Sequence, residues 1–177
     1  MALLYVLNQL EDYIIKGKRI YFLSLFLSLY IISSCGAPAI QKGDFPPDLL
    51  GETLDGHEIH VSDFRGKIVV LIFWKSWCEA CRKELLETKA LLHSYKNKFI
   101  LCAINLEEPL DVVRRFKRRY RLDFPVLVDP QTKIISAYGI HVWPTTILIN
   151  QQGQVHWTSI GLETELLKQE IELLLGE

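Results

Sequence analysis

The feature that most constrains the fold is the run KIVVLIFW, from Lys67 to Trp74. It is rich in β-branched and aromatic residues, and apolar and polar side chains do not alternate along it. Such a run predicts a strand that is buried on both faces of a sheet. A second run, FILCAIN at Phe99–Asn105, has the same character. The chain is therefore expected to have an α/β fold in which helices cover both faces of one sheet.

Shorter segments with helix or strand character alternate with these two strands. Ahead of them, Asp55-Gly56 lies between short stretches and predicts an amino-terminal β-hairpin. The remaining predicted elements are helices at Cys78–Tyr95, Leu110–Tyr120 and Glu163–Leu175, a short helix in QTKIISAYGI that ends at Gly139, a strand in FPVLVD, and two strands in TTILINQQGQVHWTSI. This order predicts a central mixed sheet flanked by helices.

The amino-terminal part of the chain has the order of a secretion signal. Lys16, Lys18 and Arg19 precede an uncharged apolar stretch, Ile20–Ile32, that ends in small residues. The stretch is shorter than the ~20 apolar residues of a membrane-spanning helix, and extending it to Ile40 gives the alternative of an uncleaved anchor. The predicted organisation is a signal peptide or membrane anchor at residues 1–34, a tether at 35–44 and a folded domain at 45–177.

Cys35 ends the sequence Ile32-Ser33-Ser34-Cys35, which resembles the lipobox of bacterial lipoproteins. The resemblance implies that Cys35 is lipidated and becomes the first residue of the mature protein. Its acyl chains would then tether the domain to a membrane. The alternative is an incidental cysteine beside an ordinary cleavage site or within an anchor.

Two further cysteines, Cys78 and Cys81, form a C-x-x-C pair in WKSWCEACRKE. A structural zinc site usually takes four ligands, and a disulfide that closes so small a loop would remove little chain entropy. Copper bound by the pair and one histidine remains an alternative. The predicted helix start at Cys78 favours its thiolate form, which attacks disulfides, and Cys81 would then release the reduced substrate. This chemistry requires no metal and no cofactor.

Four segments carry a resemblance to a known family. They are FRGKIVVLIFWKSWCEACRKE, FPVLVDP, YGIHVWPTTILINQQGQV and IGLETELLKQEIELLL, in this order within Gly43–Leu175. Together they resemble the TlpA/ResA group of thioredoxin-like proteins, in the AhpC/TSA-Redoxin superfamily. The resemblance implies a thioredoxin-like fold with an amino-terminal hairpin and an inserted strand and helix. It also implies disulfide reduction outside the cytoplasm, which several members perform on apocytochrome c.

The resemblance assigns roles to residues at the active site. Cys78 would be the nucleophile, Cys81 the resolving cysteine and Trp77 a flanking surface aromatic. Pro144 matches a cis-proline that faces the pair, and a cis bond there would expose the backbone of Trp143 to an extended substrate segment. From the residues alone, Pro144 reads equally as a trans proline that opens a strand.

Two glutamates are also implicated by the resemblance, and two positions depart from it. Glu79, between the cysteines, and Glu108 of NLEEP would contact substrate or transfer a proton. From the residues alone, both read as solvated surface acids. Ala80 stands where the family generally has proline, and Ile72 stands where thioredoxins keep a buried acid. Proton transfer must therefore use another group or water.

The formal net charge of the chain is −1, so its overall charge gives no indication of nucleic-acid binding, and the basic run has to be judged locally. The basic segment Arg114–Arg121 is interpreted as a solvated helix face, with an acidic partner or anionic lipid headgroups as the alternatives. Cys102 lies within an apolar run and is expected to be a buried, unreactive residue.

The sequence thus predicts a monomeric, extracytoplasmic, membrane-tethered thiol-disulfide oxidoreductase that uses Cys78 and Cys81. Its expected partners are a protein disulfide, such as that of apocytochrome c, and a membrane electron donor of the thiol-disulfide type. No nucleic acid is expected to bind. Two alternatives use the same pair: a peroxidase of the peroxiredoxin type and a copper metallochaperone.

Overall fold

A computed structural model describes residues 40–129 and 131–176, all of them within one compact unit, residues 37–177. The predictions for the signal or anchor at 1–34 and for lipidation of Cys35 lie outside the described residues. Where the chain is described, no helix has both the length and the apolar character needed to cross a bilayer. The elements are β1 Leu49–Thr53, β2 Glu58–His60, β3 Ile68–Trp74, α1 Glu79–Ser94, β4 Phe99–Leu106, α2 Leu110–Tyr120, β5 Val126–Asp129, α3 Lys133–Tyr138, β6 Thr145–Ile149, β7 Val155–Ile160 and α4 Thr164–Leu175.

The strands form one mixed sheet in the order β2-β1-β5-β4-β3-β6-β7. Strands β3, β4 and β5 are parallel, whereas β1 pairs antiparallel with β2 and β5, and β6 pairs antiparallel with β3 and β7. The predicted mixed sheet, amino-terminal hairpin and carboxy-terminal hairpin are confirmed. In the sheet, β3 lies between β4 and β6. The cysteine pair follows β3 in the chain and therefore lies at the carboxyl end of this central strand.

Both faces of the sheet are covered, as the apolar run of β3 predicts. Every residue of β3 is buried. Ile68, Val70, Ile72 and Trp74 belong to one apolar cluster with residues of α1, α2 and α4, whereas Val69, Leu71 and Phe73 belong to a second cluster with residues of α3. The division follows from the two-residue period of a strand, which sends successive side chains to opposite faces.

The chain enters the described domain along the edge strand β7. The backbone N–H of Gly43 donates to the Val155 carbonyl over 2.8 Å, and the N–H of Val155 donates to the Asp44 carbonyl over 2.9 Å. Ile40 packs against the cluster that includes α3. Backbone contacts with the sheet therefore begin at Gly43, within the segment interpreted as a tether.

Candidate active site

The cysteine pair forms a disulfide at the start of α1. Cys78 is the N-cap residue of the helix, in extended conformation, and its Sγ accepts a hydrogen bond of 3.1 Å from the backbone N–H of Cys81. The two Cα atoms are 5.2 Å apart. Cys78 is partly exposed, whereas Cys81 is fully buried. After reduction, a Cys78 thiolate would keep this N–H donor and would lie at the positive end of the helix dipole.

The loop that leads into β6 lies beside the disulfide. Its Trp143–Pro144 peptide bond is cis, as the family resemblance implies. The Trp143 ring packs edge-on against the Trp77 ring, with centroids 6.0 Å apart. Trp77 is 68% exposed and immediately precedes Cys78. The contact between the two indoles therefore joins the cis-proline loop to the loop that carries Cys78.

Lys75 connects this pair of loops to the end of β4. Its Nζ lies 5.0 Å from the centroid of the Trp143 ring and 3.1 Å from Glu107 Oε2. The Lys75 side chain is largely buried, and that of Glu107 is half-exposed. Partial removal of this cation from water strengthens both interactions. Lys75 thus fixes the Trp143 indole relative to the β4–α2 turn.

The two predicted glutamates of the site have different surroundings. Glu108 Oε2 accepts hydrogen bonds of 2.6 Å from the backbone N–H of Ser76 and from Asn105 Nδ2, and Oε1 accepts one of 2.6 Å from Ser76 Oγ. Because Ser76 lies two residues before Cys78, Glu108 positions the active-site loop. Glu79, by contrast, is exposed on the surface and pairs with Arg82 in the first turn of α1.

Sequence reasoning missed a third glutamate, Glu84, which is 1% exposed. It lies one helical turn after Cys81 on the buried face of α1, and its Oε1 accepts a hydrogen bond from Thr146 Oγ1, two residues after Pro144. Burial raises the pKa of Glu84 to about 7; the Thr146 hydrogen bond opposes this increase, and the negative charges of Glu163 and Glu87 add to it. A carboxyl group with a pKa near neutral therefore lies on the same helix face as Cys81.

One sequence signal could have identified Glu84. It lies in the buried stripe of α1, whose other members are Cys81, Leu85, Thr88 and Leu92. A glutamate at a position with the spacing of the apolar face is buried unless it can reach solvent. No described residue donates a hydrogen bond to its second oxygen, Oε2.

Beside the cis-proline loop, a groove of about 530 Å³ opens between α3, β6 and β7. Its walls are mostly apolar. Val142 and Ile160 line it and are 48% and 64% exposed. His141 also lines the groove and is exposed.

Cys102, the remaining described cysteine, is separate from this site. It is buried in β4, and burial raises the pKa of its thiol to about 12, which leaves it protonated and unreactive near neutral pH. The expectation of a buried, unreactive Cys102 is thus supported. Across the described ranges, no group of three or more His, Cys, Asp or Glu side chains is arranged to hold a metal ion.

Comparisons with known proteins show which family the chain is similar to. A model of the AhpC/TSA family matches residues 43–158. The thiol-disulfide oxidoreductase ResA of Geobacillus kaustophilus is 37% identical over 135 residues, which are 76% of each chain. ResA of Bacillus subtilis is 33% identical over 143 residues, 80% of each chain.

Two solved structures illustrate the similarity of fold. A DsbE-type thiol:disulfide interchange protein from Chlorobium tepidum has a TM-score of 0.72 at 31% identity, covering 78% of this chain and 100% of that one. StoA from Bacillus subtilis has a TM-score of 0.62 at 30% identity, covering 73% and 100%. The chain therefore belongs to the AhpC/TSA family and is a thiol-disulfide oxidoreductase with a thioredoxin-like fold, similar to ResA.

Proposed function

We propose that the Cys78/Cys81 dithiol reduces disulfides in exported proteins, apocytochrome c among them, on the outer side of a membrane. The observation that carries this proposal is the asymmetry of the pair: Cys78 is partly exposed at a helix start, and Cys81 is buried behind it. A substrate sulfur can reach only the first thiol. The second is then available for an internal reaction.

The proposed reaction moves two electrons from the dithiol to the substrate. The Cys78 thiolate attacks one substrate sulfur, so that a mixed disulfide forms and the other substrate sulfur leaves as a thiolate that takes up a proton. Cys81 then loses its proton and attacks Cys78 Sγ. The Cys78–Cys81 disulfide forms, and the second substrate thiol is released.

Glu84 is proposed as the acceptor of the Cys81 proton. Cys81 is fully buried, so its proton needs an acceptor inside the protein. Glu84 lies on the same helix face, and its pKa of about 7 lets it accept and release a proton near neutral pH. This assignment supplies the buried acid that Ile72 cannot provide.

The surface around Cys78 offers two kinds of contact to a substrate. The backbone of Trp143, ahead of the cis-proline, is proposed to pair with an extended substrate segment. The exposed Trp77 ring and the groove lined by Val142 and Ile160 would then accept apolar side chains that flank the substrate cysteine. Glu79 would lie close to the same segment.

The domain is proposed to be held at the membrane by residues 1–34 as an anchor or by a lipid on Cys35. A membrane thiol-disulfide protein would return the Cys78–Cys81 disulfide to the dithiol. Labelling of growing cells with a fatty-acid probe tests the tether: the wild type should be labelled and Cys35→Ser should not. Equal labelling of both proteins would contradict lipidation at Cys35.

Trapping in cells tests the function itself. Cys81→Ala should accumulate a mixed disulfide through Cys78, which mass spectrometry of the captured protein identifies as a substrate cysteine. The matched control is the double variant Cys78→Ala/Cys81→Ala, which should capture nothing. Capture of the same proteins by both variants, or of none by Cys81→Ala, would contradict the proposal.

A further inference from the structure

Positive charge in the domain is concentrated on one helix. Residues 110–121, which are α2 and its C-cap, carry six Lys and Arg and one Asp, a net charge of +5. The other described residues carry 11 Lys and Arg against 17 Asp and Glu, a net charge of −6. The cations of the segment are Arg114, Arg115, Lys117, Arg118, Arg119 and Arg121.

Most of these cations have no acidic partner. Arg115 pairs with Asp111, and Arg114 donates to the Leu54 carbonyl, which carries no charge. Across residues 40–129 and 131–176, no carboxylate forms an ion pair with the remaining four, Lys117, Arg118, Arg119 and Arg121. A solvated helix face normally mixes both signs of charge. This one retains a concentrated positive charge.

The cations are held in place because the other side of α2 is part of the core. Val113 and Phe116 are buried, and the Phe116 ring lies 4.5 Å from that of Trp74 in the central strand. Arg118 and Arg119 are exposed. The positive charge is therefore presented by a rigid element.

The positive face is continuous with the active-site helix. Arg119 lies 5.5 Å from the centroid of the Tyr120 ring, and Arg82 lies 5.9 Å from it. Arg82 Nη1 also donates to Tyr120 Oη over 3.4 Å, and Arg82 directly follows Cys81. We define the basic surface as Arg82, Arg118, Arg119, Tyr120 and Arg121.

One of the acids nearest the disulfide pairs with Arg82 of the basic surface, but these acids leave Arg118, Arg119 and Arg121 uncompensated. Glu79 pairs with Arg82, Glu107 pairs with Lys75, and Glu108 is saturated by Ser76 and Asn105. Each is already occupied within the domain. Charge complementarity at the basic surface must therefore come from another molecule.

We infer that the basic surface docks an acidic segment of the substrate protein while its disulfide reacts at Cys78. The inference rests on the proposed function and adds the substrate class: a cysteine flanked by aspartate and glutamate. A protein partner is favoured over a lipid surface because Arg82, a member of the basic surface, directly follows Cys81 of the disulfide.

The test compares synthetic peptide disulfides whose cysteines are flanked by Asp and Glu, by Ser, or by Lys. With the reduced full-length protein at low ionic strength, kcat/KM for the acidic peptide should be about tenfold above that for the basic one. Arg118→Gln/Arg119→Gln should remove most of this preference, whereas Arg118→Lys/Arg119→Lys should retain it. Added salt should abolish the preference in every variant.

The matched control removes two exposed cations at other places, Lys67 and Lys133. Lys67→Gln/Lys133→Gln has the same net charge as the arginine variant and should keep the wild-type preference. Thermal unfolding checks that all variants are folded. Equal rates for the acidic and basic peptides, or an equal loss of the preference in the lysine control, would overturn the docking inference. Reduction of the Ser peptide would in that case still support the proposed function.

Two other outcomes would show that the basic surface faces lipid or that the proposed function itself is wrong. If Arg118→Gln/Arg119→Gln weakens binding to vesicles of phosphatidylglycerol and phosphatidylcholine but leaves the peptide preference unchanged, the surface faces lipid, and docking of a substrate is overturned. If no peptide disulfide is reduced at all, the proposed function fails, and the docking inference fails with it.

Discussion

Replacing Glu84 with glutamine removes a carboxyl group that the fold holds in its interior. Burial raises the pKa of this group from its ordinary value of 4.5 to about 7. Each pKa unit corresponds to about 1.4 kcal/mol, so ionised Glu84 lowers the free energy of unfolding by roughly 2 to 4 kcal/mol relative to protonated Glu84. Glutamine has nearly the same shape, never ionises and can still accept the Thr146 hydrogen bond.

The sign of the pH dependence follows from the raised pKa. Below pH 4.5 the carboxyl of Glu84 is protonated in both the folded and the unfolded protein, and its favourable contribution to stability is complete. As the pH rises through about 7, the unfolded chain has already lost this proton and the folded protein must also lose it, so the contribution disappears. The wild type should therefore lose stability with rising pH relative to Glu84→Gln.

Urea unfolding of the two oxidised proteins, followed by tryptophan fluorescence, measures this difference. Near pH 5 the two free energies of unfolding should agree within about 1 kcal/mol, and near pH 8 Glu84→Gln should be more stable by roughly 2 to 4 kcal/mol. Glu58→Gln, an exposed glutamate on the edge strand β2, is the control and should follow the wild type within about 0.5 kcal/mol. Parallel profiles for wild type and Glu84→Gln would refute the raised pKa and the proton-acceptor role that depends on it.

Three further changes test the site. Lys75→Met loses the ion pair with Glu107 and the contact with the Trp143 ring. The kcat/KM for peptide disulfides should therefore fall several-fold, equivalent to about 1 to 2 kcal/mol. An unchanged rate would contradict the positioning role of Lys75. Glu108→Ala leaves the donors of Ser76 and Asn105 without the Glu108 carboxylate as acceptor. The free energy of unfolding in urea should therefore fall by about 1 to 3 kcal/mol. A decrease below about 0.5 kcal/mol would contradict the positioning role of Glu108. Glu84→Gln should slow the release of substrate from the mixed disulfide, and stopped-flow rates equal to the wild type would exclude Glu84 as the proton acceptor.

The elements that local pattern determines were predictable. An uninterrupted β-branched and aromatic run such as β3 has few stable structures other than a strand covered on both faces. The start of α1 at Cys78 and the end of α3 at Gly139 follow from local preferences and agree with the structure within about two residues. The cis bond before Pro144 came from the family resemblance, because the residues alone allow a trans proline equally well.

The contacts that join distant parts of the chain were not predictable from pattern. Glu108 bonds Ser76 across 32 residues of sequence, and Glu84 meets Thr146 across 62. The pKa of Glu84 depends on burial beneath β6 and α4, which no local window contains. The continuity of the basic helix with Arg82 likewise depends on how α2 packs beside α1.

Reduction of a peptide disulfide by the reduced protein is the most direct test of the Cys78/Cys81 dithiol. The wild type should reduce the peptide and lose two thiols per molecule, those of Cys78 and Cys81, while buried Cys102 remains unmodified. Cys78→Ser should show no reduction above the background of its buffer. Reduction by Cys78→Ser at the wild-type rate would contradict the assignment of Cys78 as the nucleophile and, with it, the account of this site.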